Sequence, residues 1–364
     1  MAVDWLQMGK NAGGHEMSRI LFLDQTEGFS PTGMYDRPTG GILTSLTILP
    51  KYLASLGHEV YVASHHPVNE QVDGVNYVPV KDGLPPVDVA IFNRNVLPYN
   101  IVKTYKDRGT KIVWWLHDIV SPTYLPDATF QLVDYVVALS QYCRKTYSKF
   151  YGIPESKFFI IPNGVDKDVF HPGDYEKRNP NLYITASSLI KGYFALDITY
   201  TNLKRHLPDL DYRIYSNQSL HGYKNTDSQQ KFLDMMKQAG AHVYSPISQA
   251  SLAEIMRQAW CLLMPNSYPE ICSNLLLQAR ASGLPVVSSN IGANPEFIEH
   301  GKSGLLTLDF HPHDIHCWSV EFAGLACKLA IDKDLHREIS KTTSEGVPSW
   351  TDVGNKWNEL LATI

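Results

Sequence analysis

Short apolar runs alternate with amphipathic segments along the chain from Arg19 onward. The first run, RILFLD at 19–24, is typical of a buried strand, and a polar loop over 25–41 follows it. Apolar residues then recur at steps of four and three, which predicts a helix ending near Gly57: Ile42, Leu46, Leu49, Leu53 and Leu56. Such an alternation of strands and helices is typical of a parallel sheet covered by helices.

Two series of strands divide the chain. The first half continues with the runs EVYVAS, VDVAIF, TKIVWWLHD and YVVALS. Proline, glycine and charged residues then cluster over 158–180, which indicates a linker. A second series has the strands NLYITAS, YRIYS, AHVYS, WCLLMP, PVVSS and SGLLTL, with helices near 193–206, 228–239, 249–259 and 273–282. We therefore predict an α/β protein of two doubly wound, Rossmann-like domains facing a central cleft.

The linker and the last helical pattern set the predicted domain limits. We predict an N-terminal domain over residues 1–172 and a C-terminal domain over residues 173–348. Residues 349–364 have helical spacing and are expected to pack back on the first domain. Residues 1–17 lack periodicity and are interpreted as a leader or tag. Ligands of such sheets bind at the carboxyl ends of strands, so the chemistry is expected on the loops there.

Composition narrows the classes of function. The chain has 364 residues, of which 44% are apolar and 19% charged, a profile of packed globular proteins. Its 32 basic and 37 acidic residues give a net charge of −5, which argues against a dedicated nucleic-acid binder. The five cysteines include no Cys-x-x-Cys pair, so neither a disulfide framework nor a zinc ribbon is indicated. No apolar run is long enough for a membrane span, so we expect a cytoplasmic protein, with peripheral membrane contact left open.

The most informative segment follows the strand WCLLMP. Glu270 stands in the turn after this strand, and Ser273 is a credible N-cap of the next helix. The N–H groups of Cys272, Ser273 and Asn274 at a helix N-terminus would favour a diphosphate or sugar hydroxyls, and Glu270 could accept hydrogen bonds nearby. An ordinary capped turn with a solvated glutamate is the alternative interpretation of these residues.

This segment resembles the motif of the retaining glycosyltransferases of family four, in which seven residues separate two glutamates. Here the motif consists of Glu270, seven residues and Gln278. The sequence ASGLPVVSSNIGANPEFIEHGKSGLL is similar to two further family segments, and the resemblance extends to Gly40-Gly41, His117-Asp118, IPNGVD at 161–166 and Lys191-Gly192. It implies the GT-B fold and a nucleotide-diphosphate sugar as donor co-substrate, with no other cofactor. It also implies that the domain of residues 173–348 binds this donor and that the domain of residues 1–172 lies on the acceptor side.

Two positions depart from the family pattern. Gln278 occupies the place of the second glutamate, which would pair with the ribose hydroxyls, and a neutral amide is a weaker partner than a carboxylate. Gln278→Glu would therefore tighten donor binding, unless this side chain is turned into the helix packing, where a carboxylate would be buried and unpaired. Ser187 and Ser188 occupy a stretch where many relatives have an arginine, which leaves Lys191 as the main cation for the diphosphate.

The resemblance also implies roles for two sites in the first half of the chain. Gly40 and Gly41 precede the first helix, where missing Cβ atoms would let a phosphate or a sugar approach the backbone, although such a pair is more often a simple turn. His117 follows a strand and would contact the transferred sugar near the reacting carbon. Its alternative is an ordinary histidine of the core or of a loop.

Two clusters imitate metal sites. Asp209 and Asp211 form an Asp-x-Asp pattern, but they precede the strand YRIYS and so lie at the edge of the sheet away from the chemistry. His311, His313 and His316 have a spacing without a strong metal template, and a solvated loop before a helix is the preferred interpretation. We expect no metal.

The sequence thus predicts a retaining, metal-independent glycosyltransferase. In this hypothesis Glu270 contacts sugar hydroxyls, Lys191 and the helix amides stabilise the departing diphosphate, and the acceptor is a glycan, a lipid-linked molecule or a small molecule. Two alternatives stay open. One is a non-catalytic nucleotide-sugar-binding or scaffold protein, and the other is a nucleotide-sugar epimerase on the same architecture.

Overall fold

The protein folds into two compact units. A computed structural model describes residues 17–24, 30–65, 68–94, 97–120, 127–193, 195–216, 224–309 and 314–364. The first unit takes in the chain up to Gly33, Ile42–Gly164 and Pro348–Ile364, and the second takes in Met34–Gly41 and Val165–Val347. The first unit therefore ends before the predicted boundary at 172, and a short segment from the N-terminal half belongs to the second unit.

In its described part, the first unit is built on a sheet of eight strands. They are β1 (Arg19–Leu23), β2 (Glu59–Ser64), β3 (Glu70–Val72), β4 (Val75–Pro79), β5 (Val89–Asn93), β6 (Lys111–Trp115), β7 (Tyr135–Ala138) and β8 (Phe158–Ile160). The order is β3-β4-β2-β1-β5-β6-β7-β8, and β3 and β4 are the antiparallel pair. The chain leaves β1 toward β2 and later returns to β5 on the other side of β1. Ligands of doubly wound sheets bind at such a reversal, outside the carboxyl ends of the strands.

Five α-helices accompany this sheet in the described part of the first unit. They are α1 (Gly41–Ser55), α2 (Tyr99–Asp107), α3 (Asp127–Phe130), α4 (Gln141–Tyr151) and the C-terminal helix α12 (Trp350–Thr363). Phe22, Trp115 and Trp357 are buried against one another, with the two tryptophan rings 5.2 Å apart between centroids. The tryptophan of α12 is thus part of the core of the first unit.

The second unit has a sheet of six strands among its described residues. They are β9 (Leu182–Thr185), β10 (Asp211–Tyr215), β11 (His242–Tyr244), β12 (Cys261–Met264), β13 (Val286–Asn290) and β14 (Leu305–Asp309). The order is β11-β10-β9-β12-β13-β14, and the neighbouring strands are parallel. Here the reversal lies between β9 and β12, so the loops after these two strands meet at one edge.

Two buried arginines hold the helices of the second unit to its loops. The helices are α5 (Leu196–His206), α6 (Asp227–Gln238), α7 (Gln249–Gln258), α8 (Asn274–Ala281), α9 (Asn294–Phe297), α10 (Ile315–Ile331) and α11 (Lys333–Thr342). Arg178 donates to the carbonyl groups of Met256, Ala259 and Ser282. Arg280 of α8 donates to three carbonyls, those of Phe297, Thr343 and Glu345. Backbone carbonyls thus accept from all three side-chain nitrogens of Arg280 and from both terminal nitrogens of Arg178, whose Nε has no partner among the described residues. Burial lowers the pKa of Arg178 to about 10.

The sequence patterns did not predict three short strands, namely β3, β4 and β8. They have three to five residues, which is too short for a reliable period, and β8 is only half-buried. Several regions with sequence-based predictions lie outside the described residues, namely 1–16, 25–29, His311 and His313. Within the described part of the chain, no helix is both long and apolar enough to cross a membrane.

The contact between α12 and α1 gives a prediction about stability. A Cβ added at Gly354 of α12 would overlap the ring of Tyr52, whose hydroxyl donates to Asn355 Oδ1 at 2.7 Å. We expect Gly354→Ala to lower the free energy of unfolding by about 1 to 3 kcal/mol, because the overpacked ring must move. Urea unfolding followed by tryptophan fluorescence measures the change.

Gly324→Ala is the matched control. A Cβ at Gly324 of α10 would meet no atom within 4 Å. Alanine is the better helix former, so this variant should match or exceed the parent by up to about 1 kcal/mol. If Gly354→Ala is as stable as the parent, the packing of α12 on Tyr52 is not limiting.

Candidate functional site

Glu270 and Lys191 meet at the reversal of the second sheet. Lys191 follows β9 and Glu270 follows β12, and these strands are neighbours. Lys191 Nζ lies 2.7 Å from Glu270 Oε1, and Asn266 Nδ2 donates to the same oxygen at 3.4 Å. Glu270 is 6% exposed, whereas the Lys191 side chain is 32% exposed. The carboxylate is therefore held on two sides, and the ammonium group still reaches solvent.

Two glycines allow the backbone of this turn to pack closely. Gly192 has φ +127°, and a Cβ there would lie 2.6 Å from the Pro265 carbonyl oxygen. Gly292 has φ +61°, and its Cβ would overlap the backbone of Glu270. The Glu270 carbonyl accepts from the Ala293 N–H at 2.7 Å. The turn is thus fixed between two segments that only glycine fits without strain.

The N-terminus of α8 lies directly after Glu270. Ser273 is its N-cap, and Ser273 Oγ accepts from the Leu276 N–H at 3.4 Å. Asn274 Nδ2 donates to the Gly41 carbonyl at 3.2 Å, and a Cβ at Gly41 would lie 2.7 Å from that nitrogen. The structure therefore places Gly41 against the predicted anion site. The helix dipole and the first N–H groups favour a negative ligand at this end.

The remaining residues that the sequence predicted for the donor site differ in their surroundings. Cys272 is buried. Ser188 Oγ is enclosed and has no hydrogen-bond partner among the described residues, and Ser187 lies next to it after β9. A Cβ at Gly40 would meet no atom within 4 Å, so the described protein atoms do not require glycine at that position.

Gln278 is hydrogen-bonded inside the second unit. Its Nε2 donates to Gln249 Oε1 at 2.8 Å, and Gln249 Nε2 donates to the Thr39 carbonyl at 2.8 Å. Both glutamines are 8% exposed. The side chain of Gln278 thus packs against the first residue of α7 through one end of its amide.

Enclosed polar atoms without partners collect at the carboxyl edge of the second sheet. Within the part of the chain that the structure describes, they follow or end four adjacent strands: Ser216 Oγ after β10, Ser188 Oγ after β9, Asn266 Oδ1 after β12, and Ser289 Oγ of β13. A buried polar atom left unsatisfied costs about 1 to 3 kcal/mol. The described residues therefore leave hydrogen-bonding capacity unused at this edge.

His117 lies in a chain of hydrogen bonds in the first unit. It follows β6, and Asn93 ends the neighbouring β5. Asn93 Nδ2 donates to Asp24 Oδ2 at 2.7 Å, and Asn93 Oδ1 lies 2.5 Å from His117 Nδ1. The other ring nitrogen, Nε2, lies 3.3 Å from Asn163 Oδ1. Asp24 and Asn93 are fully buried.

The direction of these bonds fixes the imidazole. An ionised Asp24 only accepts, so the Asn93 NH₂ group faces it and the Asn93 carbonyl faces His117. His117 must then donate from Nδ1. Burial, as the largest cause, lowers the pKa of His117 to about 3, so the ring is neutral near pH 7. Nε2 then keeps its lone pair, and this lone pair faces the Asn163 oxygen with no hydrogen between the two atoms.

Several of these residues had no strong sequence signal. Asp24 follows an apolar strand directly, and Asn93 and Asn266 also stand at the ends of strands. This position at a strand end is the sequence feature that could have identified them. Asp211, which the sequence predicted to lie in a solvated turn, forms an ion pair with Arg213, with 2.6 Å between Oδ2 and Nη2. Across the described residues, no group of three His, Cys, Asp or Glu side chains could hold a metal ion.

Comparison with known proteins gives consistent matches. A model described as Glycosyltransferase Family 4 matches residues 39–169, and one described as Glycosyl transferases group 1 matches residues 202–316. Together they span about two thirds of the chain. A D-inositol 3-phosphate glycosyltransferase of Pseudarthrobacter chlorophenolicus is 27% identical over 197 residues, which are 51% of this chain and 46% of that protein. A probable sucrose-phosphate synthase of Thermosipho melanesiensis is 25% identical over 57% of this chain and 47% of its own length.

Solved structures match nearly the whole chain. A sucrose-phosphate synthase from Thermosynechococcus elongatus has a TM-score of 0.75 at 14% identity and covers 95% of this chain and 98% of its own. HepE from Anabaena, solved with UDP and glucose, has a TM-score of 0.70 at 16% identity, over 95% of this chain and 100% of its own.

The curated relatives are matched over less than half of their length, whereas the structural matches extend through both units. The predicted family and fold are thereby confirmed. The chain belongs to the family-four type of glycosyltransferases and has the two Rossmann-like domains of the GT-B fold.

Proposed function

We propose that the protein is a retaining glycosyltransferase that moves a sugar from a nucleotide-diphosphate sugar to an acceptor hydroxyl. The observation that carries the proposal is the Lys191–Glu270 pair at the reversal of the second sheet, directly before the N-terminus of α8. A cation and a helix N-terminus suit a diphosphate, and a buried carboxylate suits sugar hydroxyls. The second unit would therefore bind the donor.

The diphosphate would be neutralised by the protein itself. Lys191 Nζ can turn from Glu270 toward a phosphate because its side chain is partly exposed. The N–H groups of α8 supply further positive potential, with Ser273 and Asn274 at its first turn. Charge that develops on the leaving diphosphate would meet donors already in place, which is the main source of rate acceleration in this mechanism. Positive charge from the protein itself supports a transfer reaction that needs no metal ion.

A uridine nucleotide is the first donor class to test. HepE from Anabaena, which shares the fold, was solved with UDP and with UDP-glucose. The acceptor would be a glycan, a lipid-linked molecule or a small polyol. A relative named D-inositol 3-phosphate glycosyltransferase makes the polyol a natural first choice.

Transfer with retention would proceed on one face of the sugar. The acceptor oxygen bonds to the anomeric carbon as the bond from that carbon to the phosphate oxygen breaks, and the acceptor proton passes to a phosphate oxygen of the leaving group. Glu270 already binds Lys191 and Asn266, so its role would be to orient hydroxyls, not to form a covalent intermediate.

His117 would accept a hydrogen bond from a sugar hydroxyl through Nε2, and this bond would replace the contact between two acceptors that Nε2 makes with Asn163 Oδ1. Its neutral ring has a lone pair there, because Nδ1 donates to Asn93. A charged imidazolium would offer only donors, so Asp24 and Asn93 act as positioning residues for His117 in this mechanism.

A panel of nucleotides tests the proposed function. UDP, GDP and ADP, each with its sugar conjugates, are screened by thermal shift, since a ligand of the native state raises the melting temperature with concentration. The proposal expects one base to stabilise the protein, and it expects an added acceptor to yield a product with the anomeric configuration of the donor. Binding without turnover would favour a scaffold protein, and a changed sugar without transfer would favour an epimerase.

Glu270→Gln should separate activity from stability. We expect turnover to fall by at least about 100-fold, because the amide no longer pairs with Lys191 and misplaces the sugar. The free energy of unfolding should change by less than about 1 kcal/mol, because Lys191 can turn to solvent. Glu299→Gln, which breaks the surface pair with Lys302, is the control and should keep full activity. Equal turnover in Glu270→Gln and the parent would contradict the assignment.

Activity should survive a chelator. Lys191 and the N-terminus of α8 supply the positive charge in this proposal, so steady-state rates with and without EDTA should agree. A rate that is lost with EDTA and restored by Mg²⁺ or Mn²⁺ would show that the charge comes from a metal ion instead.

Asp24→Asn should change the tautomer of His117. With an amide at position 24, the Asn93 amide can turn over, and Nδ1 of His117 no longer has to donate. Imidazole ¹⁵N spectra should show a mixed protonation pattern, and turnover should fall about five-fold, the value of one hydrogen bond of about 1 kcal/mol. Asp88→Asn removes an exposed pair with Arg19 and should change neither quantity. A single unchanged Nδ1–H tautomer in Asp24→Asn would overturn the positioning role.

A further inference from the structure

We propose that Gln249 orients the side-chain amide of Gln278 so that its carbonyl oxygen serves as the acceptor for a ribose hydroxyl of the donor. Gln249 thus becomes the positioning residue that allows an amide to stand in the place of a carboxylate. This inference rests on the proposed donor site and adds a residue that neither the motif nor the chemistry of transfer had indicated.

The orientation begins at a group that can only accept. The Thr39 carbonyl accepts from Gln249 Nε2 at 2.8 Å, so the NH₂ end of Gln249 faces Thr39 and its Oε1 faces Gln278. Gln278 meets that oxygen with its own NH₂ group, at 2.8 Å. Gln278, Gln249 and the Thr39 carbonyl thus form a row of hydrogen bonds. The backbone carbonyl sets the direction of both bonds, whichever way the oxygen and nitrogen of each amide are assigned.

The start of the row is itself anchored. Thr39 Oγ1 donates to the Met34 carbonyl at 2.9 Å, and the Ala250 N–H donates to the Tyr35 carbonyl at 3.2 Å. Residues 34–41 are thus attached to the first turn of α7, and they belong to the same compact unit as Gln249 and Gln278. Thr39 cannot easily move to accommodate a reversed amide.

The end of the row is open. None of the described residues donates to Gln278 Oε1, and this atom is not among the enclosed ones without a partner. Its carbonyl oxygen is therefore an available acceptor. A carboxylate would offer the same acceptor chemistry, whereas an amide turned the other way would offer a donor.

The position on α8 indicates what this acceptor meets. Asn274 begins the helix, where the diphosphate is proposed, and Gln278 lies four residues further along, a rise of about 6 Å. In a nucleoside diphosphate, the group bonded directly to the diphosphate is the ribose. Its hydroxyls are donors that match an outward carbonyl oxygen.

This row of hydrogen bonds changes the expected effect of a substitution at Gln278. In Gln278→Glu a carboxylate oxygen would face Gln249 Oε1, and turning the Gln249 amide would bring its oxygen against the Thr39 carbonyl. Either way two acceptors meet in a buried place. Restoring the family glutamate alone should therefore weaken binding, contrary to the gain that the motif implies.

Gln249→Lys with Gln278→Glu is the compensating pair. A lysine at 249 can donate both to the Thr39 carbonyl and to a carboxylate at 278. With Gln278 retained, the same lysine would attract the amide oxygen and turn the NH₂ group toward the ribose. Gln249→Lys alone thus presents a donor to the ribose, Gln278→Glu alone brings two acceptors into contact, and the double variant presents an acceptor without that conflict.

The experiment measures the dissociation constants of UDP and of 2′-deoxyuridine diphosphate by calorimetry for the parent, both single variants and the double variant. We expect each single variant to bind UDP about five-fold more weakly or worse, and the double variant to recover most of the affinity. The parent's preference for UDP over the deoxy analogue should shrink in the single variants and return in the double one. Gln258→Lys adds the same charge to the exposed end of α7 and should leave both constants unchanged.

Melting temperatures without ligand accompany these titrations. The two substitutions should be coupled, with a double variant more stable than the sum of the single losses. Additive losses in affinity, or equal effects on UDP and the deoxy analogue, would overturn the ribose assignment. Coupling seen in stability alone would show a purely structural role and overturn it as well. A parent that binds no uridine, guanosine or adenosine diphosphate would instead fail the proposed function, on which the ribose assignment depends.

Discussion

The close packing of the turn around Glu270 is the constraint on which the candidate site depends. Its backbone lies against Gly192 on one side and Gly292 on the other, and both glycines have positive φ. A side chain at Gly192 would push the loop after β9 away from this turn, and a side chain at Gly292 would displace the Glu270 backbone from the segment after β13. The Lys191–Glu270 contact of 2.7 Å then follows from the backbone, because both side chains leave segments that are fixed relative to each other. The sheet reversal between β9 and β12 brings these segments together in the first place.

A second constraint operates in both units, namely buried groups that can only accept hydrogen bonds. In the first unit Asp24 determines how Asn93 lies, and Asn93 determines which nitrogen of His117 donates. In the second unit the Thr39 carbonyl has the same effect on Gln249. In each row of hydrogen bonds, the acceptor at one end determines which atoms donate in the next two side chains. Side-chain amides are well suited to this, because one end donates and the other accepts.

The buried arginines show a related use of backbone acceptors. Arg280 lies in the same helix as Gln278, and it donates to three carbonyls in two segments, the end of α9 and the turn after α11. It therefore fixes the far end of α8, while Ser273 caps the near end. Both ends of the helix that would face the donor are tied down, which suits a site that must hold a diphosphate without rearrangement.

The sequence by itself determined the fold class and the local part of the site. Apolar periods within 5 to 15 residues indicated most strands and helices, and Glu270, Ser273 and Asn274 could be read together because a strand, a turn and a capped helix are consecutive. Only the tertiary structure decided what these residues contact. Gln249 is 210 residues from Thr39 along the chain, and Asn93 is 69 residues from Asp24. A hydrogen bond depends on the direction of donor and acceptor as well as on proximity, and no pattern of residue types along the chain contains that direction.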